Sequence, residues 1–178
     1  DPSTGTSSIS IPIEVPQGRA GIQPSINLLY NSSGGNGLVG MGWSMELGYI
    51  QRSTKKGVPQ YNNTDQFVLV QPGSQQELVD ISGNSTEFRP ELEGAFMKIQ
   101  FNSTSWTLTD RKGTKYYFGS TSATQVYDPA NSSKVYRWNL EKVQDINGNY
   151  MTVTYQRDDN QLYPTVIDYT GNTLVGLP

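Results

Sequence analysis

The segment at 11–53 constrains the fold of this chain more than any other, because its residues dictate backbone shape and carry little reactive chemistry. Five glycines lie between Gly34 and Gly42, and glycine permits positive φ and close backbone approach. Three prolines each remove an amide donor from any hydrogen-bonded ladder. They are Pro12, Pro16 and Pro24. We therefore expect an irregular backbone crossover here, and read the glycine-rich stretch as a structural turn and not as a phosphate-binding loop.

Elsewhere, apolar residues alternate with a period close to two, which is typical of half-buried strands. Examples are Phe67–Val70, Phe96–Phe101, Trp106–Thr109 and Tyr150–Tyr155. No window carries the apolar stripe of an amphipathic helix, and the best helical candidate, Thr124–Tyr127, is about one turn long. We predict an all-β fold of antiparallel hairpins and meanders, forming two packed sheets or a curved sheet segment of a larger β-shell, with little helix.

A short pattern, Asp-x-x-Gly followed by Asn or Thr, occurs four times between strand-like runs. The Asp side chain can bond back to the chain, and the Gly suits the left-handed residue of a bulged turn. Each copy therefore predicts a hairpin turn. The residues concerned are Asp80 and Gly83, Asp110 and Gly113, Asp145 and Gly148, and Asp168 and Gly171.

The absence of cysteine and histidine excludes several kinds of chemistry. Disulfides, thiolate metal sites, imidazole bases and a Ser-His-Asp triad are all impossible, so we predict no metal and no cofactor. The 13 basic and 16 acidic residues are scattered, which predicts no nucleic-acid partner. No apolar run approaches the roughly 18 residues that span a bilayer, so we predict no transmembrane segment. We expect residues 1–178 to form one domain, a fragment of a larger polypeptide.

Two further patterns invite a functional interpretation. A glycosidase needs two carboxylates held close together by the fold, and nothing in the spacing pairs the available ones. These candidates are Glu46, Glu77, Glu87, Glu91 and Glu93. The turns near Asp145 and Asp158 faintly resemble calcium loops without the twelve-residue ligand pattern, so a single Ca²⁺ held partly by backbone carbonyls stays an alternative. We interpret the carboxylates as solvated charges and the turns as hairpins.

The aromatic residues could form a sugar-binding platform or a core. Tyr136 and Trp138 are two residues apart and so share one face of a strand, which favours core packing over exposure. The alternative function is an autonomous carbohydrate- or protein-binding β-sandwich, which would expose a row of aromatic side chains. A fragment of a shell would bury them and leave sheet edges open.

Several short stretches support a family resemblance. They are Ile11-Pro12-Ile13, Pro16, Gly18-Arg19-Ala20-Gly21, Pro24, Leu28, Tyr30-Asn31-Ser32, Gly35-Asn36-Gly37, Gly40, Gly42-Trp43-Ser44 and Ile50-Gln51-Arg52-Ser53. This pattern resembles the amino-terminal region shared by the Salmonella virulence plasmid B protein and the B component of insecticidal Tc toxin complexes. Looser similarity extends to Gly171, and the last two Asp-x-x-Gly copies look like the tyrosine-aspartate (YD) repeats of Rhs proteins.

The resemblance implies a structural module of a secreted bacterial toxin. In Tc toxins this region helps to form a hollow β-shell around a cytotoxic effector, so the implied partners are the remainder of the polypeptide and other toxin-complex subunits. The implied location is extracellular, with a cytoplasmic stage before export. The implied shape-determining residues are Gly18, Arg19, Gly21, Gly35, Asn36, Gly37, Gly42 and Trp43. We expect Arg19 to form a buried or half-buried ion pair or to cap carbonyls.

The resemblance also bears on activity. In the plasmid virulence proteins this region precedes an actin ADP-ribosyltransferase domain. The ordered Arg, Ser-Thr-Ser and Glu-x-Glu constellation of such a transferase does not occur in this chain, where Glu91-Leu92-Glu93 stands alone. We therefore predict that the chain is not an enzyme.

Overall fold

The computed structural model describes residues 5–92 and 97–174, and nearly all regular structure in these ranges is β. The strands are β1 (Ser8–Ile13), β2 (Ile26–Asn31), β3 (Asn36–Gly37), β4 (Gly40–Met41), β5 (Trp43–Met45), β6 (Tyr49–Arg52), β7 (Phe67–Gln71), β8 (Ser74–Asp80), β9 (Glu87–Pro90), β10 (Lys98–Phe101), β11 (Trp106–Thr109), β12 (Lys115–Phe118), β13 (Gln125–Asp128), β14 (Asn131–Gln144), β15 (Asn149–Asp158) and β16 (Gln161–Asn172). Helix in the described ranges is limited to two 3-10 turns, Arg19–Gly21 and Ser122–Thr124. The all-β prediction is confirmed.

Eight of these strands form a closed ring. From β6 to β12 each strand pairs antiparallel with the next one along the chain. The ring closes through β14, which pairs with β6 where Asn139 faces Tyr49 and with β12 where Val143 faces Tyr116. The predicted curved sheet thus closes on itself, because its two end strands, β6 and β12, both pair with β14.

Strand β14 also joins the ring to a second sheet. Its first half pairs with β13 and its last residues pair with β15, which in turn pairs with β16 along most of its length. A 14-residue strand is long enough to pair with different strands at its two ends. The free edge of β16 ends this sheet in the described part of the chain.

The core fills the inside of the ring. Alternate residues of neighbouring strands face inward as cross-strand partners, for example Ile50 opposite both Leu69 and Trp138. Trp106 and Trp138 are 0% and 1% exposed, with ring centroids 5.9 Å apart. Full burial of one large apolar side chain stabilises the fold by about 2 kcal/mol. The interpretation of these tryptophans as core residues is confirmed.

An ion pair lies beside the aromatic core. The Arg52 Nε donates to the Val135 carbonyl at 2.9 Å and its Nη1 donates to Asp65 Oδ2 at 2.7 Å. Both side chains are nearly buried, at 10% and 7% exposure, and the guanidinium lies 5.2 Å from the Phe67 ring centroid. Burial lowers the pKa of Arg52, and the neighbouring Asp65 carboxylate opposes that shift. The pair fastens the 53–66 loop to the ring.

The Asp-x-x-Gly turns follow a common geometry at two of the four copies. At Asp110 and Asp145 the Asp amide donates to the carbonyl four residues later, at 3.0 and 2.9 Å. The following glycines, Gly113 and Gly148, have φ values of +80° and +78°. At Asp80 the connection is longer, and there the carboxylate accepts from several amides of the loop while Gly83 has a φ of +71°.

The fourth copy departs from the predicted hairpin. Asp168 and Gly171 lie inside β16, where they face Thr152 and Tyr150 of β15. Three steps on β16 match two steps on β15, so the motif forms a bulge, with Thr170 at a φ of +73°. The prediction of a hairpin turn at Asp168 and Gly171 is wrong, because pairing with β15 resumes beyond the motif at Asn172.

Removing the carboxylate of the buried ion pair tests its contribution. We expect Asp65→Ala to lower the free energy of unfolding by about 3 kcal/mol, since Arg52 would be left as an unpaired buried charge. Denaturant titration measures this. Glu87→Ala is the control, because Glu87 meets Lys98 at 3.4 Å with both side chains well exposed, and should cost less than about 1 kcal/mol. Equal losses in the two variants would contradict the role of burial.

Candidate functional site

The amino-terminal segment forms its own three-stranded sheet, ordered β1-β2-β5. A 3-10 turn links β1 to β2. Gly18 is buried just before the turn, and a Cβ at this position would overlap the Ile22 carbonyl oxygen. Gly21 has a φ of +80°. Arg19 is exposed, and in the described part of the chain its side chain makes no ion pair, so the expectation of a buried or half-buried pair is wrong. The turn places this side chain on the outside of the molecule.

The glycine-rich stretch folds into a small hairpin, β3–β4, between β2 and β5. A Cβ on Gly37 would overlap the Trp43 carbonyl oxygen, and one on Gly42, where φ is +77°, would lie 2.8 Å from the Asn31 carbonyl oxygen. Gly35 has open space around it. The Gly42 carbonyl accepts from the Asn31 amide at 2.8 Å, which ties the hairpin to β2. Asn36 is exposed at the hairpin.

One face of the three-stranded sheet is apolar on every strand. Cross-strand partners lie on the same face of a sheet. On this face lie Ile9, Ile11 and Ile13 of β1, Ile26, Leu28 and Tyr30 of β2, and Trp43 and Met45 of β5. We call these eight residues the isoleucine face. Its three isoleucines on β1 are 52%, 46% and 43% exposed. Within the described ranges, the face thus remains partly uncovered.

The link between β1 and β2 is anchored elsewhere. Ile22 and Pro24 border an apolar cavity of about 230 Å³ together with Phe118, Met151 and Val153. The cavity lies between the link from β1 to β2 and strands β12, β14, β15 and β16. This contact fixes the segment to the sheet while the isoleucine face stays open.

A second, polar pocket of about 440 Å³ lies outside the ring. Trp138 faces inward, so its neighbours Arg137 and Asn139 face outward, and they line this pocket with Tyr49 of β6. The glycine-rich hairpin and the start of β16 form the other walls. We call this space the outer pocket. Its lining residues are Asn36, Gly37, Leu38, Ser44, Met45, Glu46, Leu47, Gly48, Tyr49, Arg137, Asn139, Tyr155, Gln161, Leu162, Tyr163 and Pro164.

The charged groups of the outer pocket are Glu46 and Arg137. The Arg137 guanidinium stacks on the Tyr49 ring at 4.3 Å from its centroid, and its Nε donates to Gln51 Oε1 at 3.2 Å. Burial raises the pKa of Glu46, and the positive charge of Arg137 opposes this shift. Burial likewise raises the pKa of Tyr155, whose hydroxyl donates to the Leu140 carbonyl at 2.8 Å.

The remaining carboxylate candidates do not come together. Glu77 contacts Lys55 at 2.7 Å, Glu87 pairs with Lys98, and Glu91 is exposed. Glu93 lies outside the described residues. In the ranges that the structure describes, no cluster of three or more acidic side chains could hold a metal ion. Of these candidates, Glu46 is half-buried without an ion pair among the described residues, and it lies near Arg137, which the sequence patterns did not single out.

The same fold occurs in solved bacterial virulence proteins. The N-terminal domain of effector protein SpvB from Salmonella typhimurium strain LT2 matches with a TM-score of 0.73 at 24% identity, over 89% of this chain and 63% of that one. A Photorhabdus luminescens Tc holotoxin pore matches with a TM-score of 0.76 at 22% identity, over 93% of this chain and 9% of that one. The fold thus defines a β-module that occurs in an effector and in a toxin complex.

The family follows from sequence. A model of the family described as SpvB, Salmonella virulence plasmid 65kDa B protein, matches residues 1–171, so the chain belongs to that family. The mono(ADP-ribosyl)transferase SpvB of Salmonella choleraesuis strain SC-B67 is 32% identical over 94% of this chain. The resemblance predicted from the amino-terminal segment is confirmed.

The relatives also correct one prediction. We predicted that the chain is not an enzyme, but the curated relatives are named mono(ADP-ribosyl)transferases, which contradicts that prediction. The chain spans 32% of the length of these relatives. The prediction rested on the transferase motifs that residues 1–178 lack. No helix within residues 5–92 and 97–174 is long and apolar enough to cross a membrane.

The glycine-rich hairpin can be tested with a matched pair of substitutions. We expect Gly37→Val to lower the free energy of unfolding by about 2 kcal/mol, because a Cβ there meets backbone that must move. Gly35→Val, two residues away in open space, should cost less than half of that. Thermal melts of both variants measure the difference. Equal stability of the two variants would contradict a shape-determining role for Gly37.

Proposed function

We propose that residues 1–178 form a single structural domain of a secreted bacterial toxin of the SpvB family, a scaffold within a larger polypeptide. Its role is to build part of a β-shell around a toxic effector, together with the remainder of its own polypeptide and other subunits of a toxin complex. The site of action is outside the producing cell, after a cytoplasmic stage before export. Support comes from family membership, the shared fold and the surfaces that this domain leaves open.

The isoleucine face is the observation that carries this proposal. Three neighbouring isoleucines keep about half of their surface in water. Removing that surface from water would stabilise the protein by about 25 cal/mol per Å². Strand β1 also pairs only with β2 in the described ranges, so its other edge is free. An open edge beside an open apolar face is the arrangement that a further sheet of the same polypeptide would complete.

The size of the face favours a covering segment from the same polypeptide over a second copy. Three strands of up to six residues cover roughly 300 Å², given strand spacings of about 4.8 Å and 3.3 Å per residue. A stable interface between separate proteins buries roughly 800 Å² on each partner. A covalently attached segment needs less area, because its effective concentration is high. The relatives, of which this chain spans 32%, have the additional length to supply such a segment.

The alternative is an autonomous binding module of the sandwich type. Such a module would present a row of exposed aromatic rings, whereas Trp106 and Trp138 are buried here. Trp43 is half-buried, with its ring centroid 5.2 Å from that of Tyr30. The distribution of aromatic residues therefore favours the scaffold.

The proposal predicts an effect that depends on the length of the polypeptide. The variant Ile9→Thr, Ile11→Thr, Ile13→Thr should destabilise the 178-residue chain by no more than about 0.5 kcal/mol per isoleucine, because about half of each side chain is already in water, and should reduce its binding of a hydrophobic dye. In a longer polypeptide that contains this domain, the same variant should destabilise the domain by about 1 kcal/mol per isoleucine, since the face is then covered. Thermal melts and limited proteolysis of both proteins measure this.

Val58→Thr provides the control, because Val58 is 81% exposed in a loop and should have no effect in either protein. An equal loss of stability with and without the additional polypeptide would show that the face is already covered in the 178-residue chain. No loss in the longer polypeptide would show that nothing covers it there. Either result would reject the scaffold contact.

A further inference from the structure

The outer pocket has properties that the scaffold role does not use. Of its sixteen lining residues, nine carry polar side chains, drawn from the hairpin, from β5, β6 and the segment between them, and from β14 to β16. At about 440 Å³ it falls in the size range of small-molecule sites, which is roughly 300–1,000 Å³.

Two groups in this pocket have unused hydrogen-bonding capacity. Arg137 donates through Nε, but its two terminal nitrogens have no hydrogen-bond partner among the described residues. The Glu46 carboxylate likewise accepts no hydrogen bond within residues 5–92 and 97–174. Stacking on Tyr49 holds the guanidinium in place, so its donors are oriented before any ligand arrives. The pocket thus presents a positioned donor, Arg137, and an acceptor with unused capacity, Glu46.

The opposite charges of Arg137 and Glu46 disfavour a ligand with a net charge of either sign. An anionic ligand would be attracted by Arg137 but repelled by Glu46, and a cationic ligand would meet the reverse. A neutral hydroxyl avoids both penalties, because it accepts from one group and donates to the other. Two adjacent hydroxyls can accept from the Arg137 N–H groups and donate to the Glu46 carboxylate at the same time. Burial raises the pKa of Glu46, and a hydroxyl that donates to the carboxylate would stabilise its charged form.

We propose that the outer pocket binds a neutral saccharide, with Arg137 donating to and Glu46 accepting from neighbouring hydroxyls. Asn36 and Gln161, both exposed at the rim, supply amide groups that match further hydroxyls. Tyr163, 37% exposed on the free edge of β16, offers a ring for the apolar face of a sugar. The polar lining favours a saccharide over a peptide strand, whose side chains need apolar subsites.

The test begins with an array of neutral and sialylated oligosaccharides probed with the 178-residue chain. Methyl glycosides of the neutral sugars bound are then titrated and followed by amide NMR shifts. We expect neutral sugars to bind and Glu46→Gln and Arg137→Gln each to weaken binding at least about tenfold, since each removes a hydrogen bond to a charged group. Glu46→Gln is isosteric, so it keeps the test decisive if Arg137→Gln fails to fold.

Lys142→Gln is the matched control. Lys142 lies on the same strand and stacks on Tyr150 at 4.8 Å, as Arg137 stacks on Tyr49, but it does not line the outer pocket. Its substitution should leave binding unchanged. The proposal is overturned if no sugar binds, if only sialylated sugars bind, or if Glu46→Gln binds as well as the parent chain. It is also overturned if a longer polypeptide of this family does not bind the sugar, because the remainder of the polypeptide would then occupy the pocket.

Discussion

Pairing of strand β14 with both β6 and β12 is the constraint on which the rest of the structure depends. A meander of seven strands, each paired with the next, has two free edges, and one long strand removes both of them. Closure gives the inward residues a common interior, which Trp106 and Trp138 fill. It also determines what faces outward, because the residues on either side of Trp138 must lie outside the ring.

The amino-terminal sheet is excluded from this closed arrangement. Since the ring has no free edge to offer, β1, β2 and β5 pair only with one another in the described part of the chain, and the chain between β1 and β2 provides an anchor at Ile22 and Pro24. The isoleucine face is a direct consequence. The sheet does not join the ring, and its apolar side keeps about half of each β1 isoleucine in water.

Sequence patterns predicted the local structure well and the long-range structure poorly. Alternation identified β7, β11 and β15, and for β10 it identified the part that lies within the described residues, Phe96 being outside them. The all-β class followed from the same patterns. Closure was not predictable, because it joins residues such as Gln51 and Arg137, which are 86 positions apart and carry no local signal of their pairing. At Asp168 a turn motif became a bulge, since its neighbours on both sides pair with one strand.

The outer pocket was also only partly predictable, because it depends on long-range contacts. The alternation of Tyr136, Arg137 and Trp138 indicates that Arg137 lies opposite the core, so half of the site was readable from sequence. Its partner Glu46 was known only as one carboxylate among several. Nothing local places Glu46 beside Arg137, because the contact depends on how the amino-terminal segment crosses the outer face of β6 and β14.

The placement of the three tryptophans gives the molecule separate optical signals. Trp106 and Trp138 lie within the ring and report on its integrity, and their rings are close enough for energy transfer between them. Trp43 lies on the isoleucine face and is half-buried against Tyr30, so its emission depends on water at that surface. Covering of the face would shift the emission of one fluorophore and leave the other two unchanged, so assembly can be observed without a label.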